Sequence, residues 1–267
     1  MKRQPLPVVL SIAGHDPTGG AGIQADIEAI AALGCHPVTV VSTITVQNTR
    51  NVQRVTALAP ELIEQQARIL LQDIPVQAIK IGLIGSAANA RAISSILEQH
   101  PTVPVVLDTV LAAGGGTELA STELLRTIRE QLLPRATLAT PNSLEARRLT
   151  DATGLEECAV QMLESGCKAV LITGTHEVEA DVSNRLFRPG QASVDTHWPR
   201  LPESYHGSGC TLAAAIAALL AAGQSLEEAV ARAQEYTWNS LCHGFQPGAG
   251  QYLPDRLITC RKRMSPS

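Results

Sequence analysis

A mostly parallel α/β fold is the architecture this sequence predicts, and three observations lead there. Short β-branched runs alternate with stretches whose apolar residues recur every three or four positions, the pattern of strands joined by crossover helices. The 267 residues are 45% hydrophobic and 17% charged, yet include only 2 Phe, 3 Tyr and 2 Trp. A core of Ala, Leu, Ile and Val suits strands buried on both faces. Small, polar and acidic residues follow directly on the apolar runs, where crossover loops open a crevice for ligands.

Taken in chain order, strands are expected at 7–13, 38–45, 78–84, 104–110, 136–140 and 169–173. Helical periodicity marks 21–33, 60–72, 88–98, 122–132, 144–150 and the Ala-rich 212–222. Residues 184–194 are more polar and read as a strand pair near the sheet edge, at a subunit contact or in a lid. No repeat, low-complexity segment or linker divides the chain, so 1–267 is taken as one domain, with the tail beyond about 257 peripheral.

Composition also excludes. The apolar content rules out disorder, and the residue mix rules out coiled-coil and collagen architectures. A net charge of −4 gives no general electrostatic case for nucleic-acid or anionic-membrane partners. The cluster Arg261-Lys262-Arg263 reads as a solvated tail. Met1-Lys2-Arg3 before the apolar 8–13 imitates a signal peptide, but the run is too short and Asp16 follows at once. The most apolar stretch, 212–222, is about half a membrane span. A cytoplasmic protein with no membrane partner is expected. The 6 cysteines include no CxxC pair and no metal-ligand spacing, so they read as reduced thiols.

Three motifs carry chemistry. His206-Gly207-Ser208-Gly209-Cys210-Thr211 runs directly into the Ala-rich helix. Its glycines permit close backbone approach, and the helix start offers free N–H groups and the positive end of a dipole, an anion site suited to a phosphoryl group. The same field lowers the pKa of a thiol at the helix start, so Cys210 is expected to ionise readily. The alternative is a Gly-containing turn into a helix with a buried Cys.

The second motif spans Asp16-Pro17-Thr18-Gly19-Gly20-Ala21-Gly22 and continues to Asp26. It follows a strand and opens a helix, yet satisfies neither the P-loop nor the GxGxxG pattern. Asp26 there could also simply complement the helix dipole. The third is a pair of acids on successive strand ends, Asp108 and Glu145, which could hold Mg²⁺ beside a triphosphate. Asn142 with Glu145 three residues on also reads as a capping box, and both roles are compatible.

These segments occur together and in order. The run Ile12-Ala13-Gly14-His15-Asp16 through Asp26 strongly resembles the N-terminal signature of hydroxymethylpyrimidine/phosphomethylpyrimidine kinases. So do Gln47-Asn48-Thr49, Lys80-Ile81-Gly82-Leu83, Leu107-Asp108-Thr109-Val110, Thr140-Pro141-Asn142 with Glu145, and Gly207-Ser208-Gly209-Cys210-Thr211. The resemblance covers roughly 7–245 and implies a ribokinase-like three-layer αβα sandwich. It implies ATP- and Mg²⁺-dependent phosphorylation of 4-amino-5-hydroxymethyl-2-methylpyrimidine, and then of its monophosphate, for thiamine biosynthesis.

Carried over by position, the pyrimidine is expected against Gly14, Asp26, Gln47, Leu83 and Val110. A Gln amide matches a ring nitrogen beside an exocyclic amine, and Leu83 and Val110 form an apolar wall. The resemblance makes Cys210 the base for the substrate hydroxyl and Gly207, Ser208 and Gly209 the anion hole. Asp108, Asn142, Glu145 and Thr173 are expected around Mg²⁺-ATP, with Asp108 and Glu145 holding the ion through water. Relatives of this kind are often homodimers.

The chain departs from the family pattern in several places. Thr173, in Ile172-Thr173-Gly174-Thr175-His176, stands where the family usually has the Lys of Lys-Gly-Gly-His, whose charge would face the ATP phosphates. His15 replaces a Ser, three glycines (114–116) enter the 111–117 loop, and 245–250 only loosely matches the family's C-terminal glycine motif. Two other functions remain open: a pyridoxal or pyridoxine kinase, against which Cys210 argues, and a pyrimidine-binding relative with weak or no transfer, which Thr173 favours.

Overall fold

A computed structural model describes residues 5–111 and 120–258. One nine-stranded sheet runs through them in the order β3-β2-β1-β4-β5-β6-β7-β8-β9. The strands are β1 (Val8–His15), β2 (His36–Gln47), β3 (Val52–Ala57), β4 (Ala78–Ile81), β5 (Val105–Leu107), β6 (Leu138–Ala139), β7 (Val170–Thr173), β8 (Asp181–Phe187) and β9 (Val194–Pro199). From β2 across to β7 neighbouring strands are parallel, while β3, β8 and β9 join antiparallel at the two edges.

The helices are α1 (Gly22–Ala32), α2 (Pro60–Asp73), α3 (Ala87–Glu98), α4 (Thr122–Thr127), α5 (Ser143–Leu149), α6 (Leu155–Glu164), α7 (Ser208–Ala221) and α8 (Leu226–Cys242). Strand side chains alternate between faces. Leu10, Ile12, Ile79, Ile81 and Leu107 pack with residues of α2 to α6 in one core. Val9, Ala78 and Val106 pack with α1, α7 and α8 in the other. These are the three layers of an αβα sandwich, of the ribokinase-like type. Ala213, Ala214, Ala215, Ala217 and Ala218 of α7 are fully buried, and their small side chains let the helix lie close to the sheet.

Several expected elements shift. The helix expected over 122–132 ends as α4 at Thr127 and continues through 128–132 as a wider π turn, with Leu133 N–H bonded to the Ile128 carbonyl. Pro134 lacks the N–H that a regular helix would use there, which accounts for the change of winding. The polar strand pair lies further out than 184–194, as β8 and β9 around a turn containing Gly190. The sequence reading had no counterpart for β3, α6 or α8. The cluster at 261–263, the basic start at 1–3 and the glycines 114–116 lie outside the described residues. Among the described residues no helix is long and apolar enough to cross a membrane.

Candidate active site

The strand ends of β1, β4 and β5 meet the start of α7 around a buried charge cluster. Lys80 is the third residue of β4, so alternation turns it away from Ile79 and Ile81, toward the α1 and α7 layer. Ser11 of β1 and Val106 of β5 are its register partners. Its ammonium lies 2.9 Å from Asp26 Oδ1 and 3.6 Å from Asp108 Oδ2, and neither Lys80 nor Asp26 exposes any side-chain surface. Ser11 donates its hydroxyl to Asp26 Oδ2. Burial alone would lower the Lys80 pKa, but Asp26 first, then Cys210 and Asp108, raise it above its usual value. Lys80 therefore stays charged. Asp26, expected against the pyrimidine, is enclosed, with its carboxylate engaged by Lys80 and Ser11.

Asp108 follows β5 and is buried, which pushes its pKa up against the opposing pull of Lys80 and of the nearby Cys210 thiol. Its Oδ2 is buried without a hydrogen-bond partner. Cys210, half-buried in the first turn of α7, lies near both Asp108 and the Gly22 N–H. The expected ready thiolate is not what this environment produces. Burial first, and the Asp108 charge second, push the thiol up, and the opposing effects of Lys80 and the Gly22 N–H do not offset them. The field of a helix start is overcome by burial of the sulfur, with an acid beside it adding to the effect.

The turn itself is a helix start with open backbone donors. Gly207 is the N-cap at φ +84°, with no side-chain cap, so the first N–H groups of α7 have no partner within the helix. A Cβ on Gly207 would run into the Gly20 carbonyl, and one on Gly209 would sit 3.7 Å from Asp108 Oδ1. The two glycine motifs therefore pack against each other, beside Asp108. Gly22, at φ +60°, likewise leaves no room for a Cβ beside the Gly14 carbonyl.

Asp16 organises the loop between β1 and α1. It accepts from Thr18 N–H and Oγ1 and from Ala21 N–H, and lies 2.8 Å from His206 Nε2. Burial would raise it, but the His206 and Thr18 bonds outweigh that and hold it low. His206 in turn sits 3.4 Å from the Gln47 amide nitrogen at the end of β2. Gly14 packs beside Leu83, which is half-buried, as is Val110. Gln47, Gly14 and Leu83 thus border the same strand ends as the α7 turn.

At the ends of β6 and β7 the capping box is present: Asn142 Oδ1 accepts from Glu145 N–H at 2.9 Å, and Glu145 Oε2 from Asn142 N–H at 3.0 Å. Glu145 also takes Leu111 N–H and Thr109 Oγ1, which ties it to the loop after β5. Burial first, and Asp108 with it, push Glu145 up to about 8. Thr173 bridges to Asn142 and donates its N–H to the Pro141 carbonyl, so both motifs share one turn system.

Two residues were missing from the expected site. Lys80 lay within a quoted motif without a role, although a Lys inside the four-residue strand Ala-Ile-Lys-Ile has to find a buried partner. Arg256 had no signal at all. It is 2% exposed and donates to Thr211 Oγ1 at 2.8 Å, Glu28 Oε2 at 3.0 Å and the Gly19 and Gly20 carbonyls, clasping the N-terminal loop to α7.

A ribokinase-like sandwich with a glycine turn poised over a buried acid and thiol at its strand ends defines a small-molecule phosphotransferase. The chain belongs to the phosphomethylpyrimidine kinase family, whose model matches residues 16–255. It is 40% identical over 253 residues to the hydroxymethylpyrimidine/phosphomethylpyrimidine kinase of Streptomyces coelicolor, covering 91% of this chain and 92% of that protein. Among solved structures, it superposes on an ADP complex of Bacillus subtilis pyridoxal kinase with a TM-score of 0.88 at 27% identity, covering 96% of this chain and 99% of that one. The phosphomethylpyrimidine kinase of Clostridium difficile matches with a TM-score of 0.77 at 30% identity, covering 88% and 99%.

Proposed function

We propose that this phosphotransferase moves the γ-phosphoryl group of ATP onto the hydroxymethyl oxygen of 4-amino-5-hydroxymethyl-2-methylpyrimidine, and then onto the resulting monophosphate, in thiamine biosynthesis. The observation that carries the reading is the packing of the Gly207–Cys210 turn against both Asp108 and the Gly14–Gly22 loop. That arrangement puts backbone donors, an acid and a thiol at one strand-end crevice. Sequence similarity favours the pyrimidine over pyridoxal, although the pyridoxal kinase is the better structural match.

In this reading the pyrimidine lies against Gly14, Gln47, Leu83 and Val110, with Asp26 behind them. The N–H groups of Ser208, Gly209 and Cys210 receive the charge that develops on the transferring phosphoryl oxygens. Cys210 takes the proton of the substrate hydroxyl. Its own proton must leave first, and the Asp108 carboxylate lies close by to receive it.

Asp108, Asn142, Glu145 and Thr173 frame the nucleotide side, and Mg²⁺ fits there. Asp108 Oδ2 is buried with no hydrogen-bond partner, and the Asp108 charge raises Glu145, a repulsion that a divalent cation would relieve. Among the described residues no three acidic, His or Cys side chains form a ready metal cluster, so water and phosphate oxygens would complete the shell. When bound, the ion neutralises phosphate charge. The same reading takes the enzyme as a single-domain, cytoplasmic homodimer.

The test is ADP release from the purified protein with Mg²⁺-ATP and the hydroxymethylpyrimidine, with pyridoxal in parallel. We expect pyrimidine-dependent ADP that falls by about 10²–10⁴ in Cys210→Ala, the range for loss of a positioned base. Pyrimidine binding in a calorimetric titration with no ADP release would instead make this a binding protein.

A further inference from the structure

The cluster beneath the α7 turn contains a charge for which the transfer chemistry, as derived above, has no use. Lys80 is fully enclosed at the centre of the sheet. A cation there is costly unless it is paired and hydrogen-bonded. Asp26 alone would satisfy it, since that carboxylate meets the ammonium from both oxygens, at 2.9 and 3.0 Å. Yet the side chain does not stop at Asp26.

Ser11, Lys80 and Asp108 stand on the same face of three neighbouring strands. The Lys80 side chain passes Gly82, where a Cβ would come within 2.6 Å of Nζ and 2.9 Å of Ala13 Cβ. Glycine at 82 thus keeps a channel open for the ammonium. Beyond it, 3.6 Å away, is Asp108 Oδ2, belonging to the carboxylate whose other oxygen faces the Gly209 position. The ammonium spans from α1 to the loop after β5 and ends under the first turn of α7.

We propose that Lys80 is a positioning residue for phosphoryl transfer: it fixes the Asp108 carboxylate in place beneath the Gly207–Cys210 turn, with Asp26 serving as its anchor. This rests on the kinase reading above. The arrangement gives the transfer site a fixed positive charge that never touches substrate. In a low-dielectric interior such a charge orients a carboxylate more firmly than a solvated one could. It also gives a role to a carboxylate as fully buried as Asp26.

The experiment compares the wild-type protein with Lys80→Met, Asp26→Asn/Lys80→Met and Gly82→Ala. Lys80→Met strands the Asp26 carboxylate and is expected to melt lower. The double variant removes both charges of the anchor pair and recovers most of the melting temperature. Its kcat should nevertheless stay at least 50-fold down, with KM for ATP and for the pyrimidine within threefold of wild type. Gly82→Ala, which displaces the ammonium without removing it, should lower kcat about tenfold at unchanged ATP KM.

A folded double variant with wild-type kcat would overturn the proposal, because Lys80 would then serve only to neutralise Asp26. Should the double variant not fold, wild-type kcat in Gly82→Ala would overturn it equally. Loss of both KM values alongside kcat would point to general damage and also count against it. No ADP from the wild-type protein would sink the kinase reading and this proposal together, whereas turnover that is indifferent to Lys80 sinks this proposal alone.

Discussion

At the ends of β1, β4 and β5 the site is fixed by buried charge and by glycines packed against backbone; at the ends of β6 and β7 it is fixed by caps. In the first region Asp26, Lys80 and Asp108 have almost no contact with solvent, and Gly22 and Gly207 sit where no side chain fits. In the second, Asn142 and Glu145 close a capping box, and the loop after β7 is held by partly exposed pairs such as Arg147 with Glu177. Buried charge tolerates little displacement, since each group that moves strands another. Caps and surface pairs contribute smaller, separable amounts. The region holding the Gly207–Cys210 turn is therefore the brittle one.

The sharpest way to break this contrast is at Gly207. An alanine there meets both a left-handed backbone and the Gly20 carbonyl, so turnover should fall by about 10²–10³, as when oxyanion-type donors are misplaced. ADP release from a variant shown to be folded would check this, and an unchanged rate would remove the difference between the two regions. Next comes Arg256→Met, which leaves Glu28 and two loop carbonyls without their donor. Denaturant unfolding should show a loss of about 3 kcal/mol.

In the capped region Asn142→Ala should cost about 1 kcal/mol by the same assay. An effect as large as that of Arg256→Met would mean the capped half is not the tolerant one. The smallest effect concerns Arg147 and Glu177. The Arg147 hydrogen bond holds the Glu177 carboxyl down at about 2 from its usual 4.5. A depressed acid adds stability above about pH 4.5 that is lost as the pH falls toward about 2. Arg147→Met should therefore melt slightly lower than wild type near neutrality, by at most about 1 kcal/mol in stability. The gap should close across that acid window and shrink with added salt.

What could be seen in the sequence divides along related lines. The parallel core was legible because buried strands are written as aliphatic runs, and 78–84 and 169–173 lie on β4 and β7. The edge strand β3 was not, since Val52–Ala57 is half-exposed and carries Gln53, Arg54 and Thr56. Helix α8 had a visible signal in Ser225 and Glu228, a capping box confirmed by reciprocal bonds. The capping box at Asn142 was read correctly for the same reason, a spacing of three in one stretch of chain. The behaviour of Cys210 was misjudged because its burial, and the Asp108 carboxylate beside it, come from parts of the chain remote in sequence. Local rules describe a helix start well, but they do not know which carboxylate another strand will bring to it.

The Arg256 clasp has a consequence in time rather than in space. The guanidinium that ties Gly19 and Gly20 to Thr211 follows them in the chain by 237 and 236 residues. A nascent chain can already pair β1 with β2 and β4 while the loop beside the transfer turn still lacks its fastening. The sheet is thus available before the enzyme is, and the site closes only after β9 and α8 have been made.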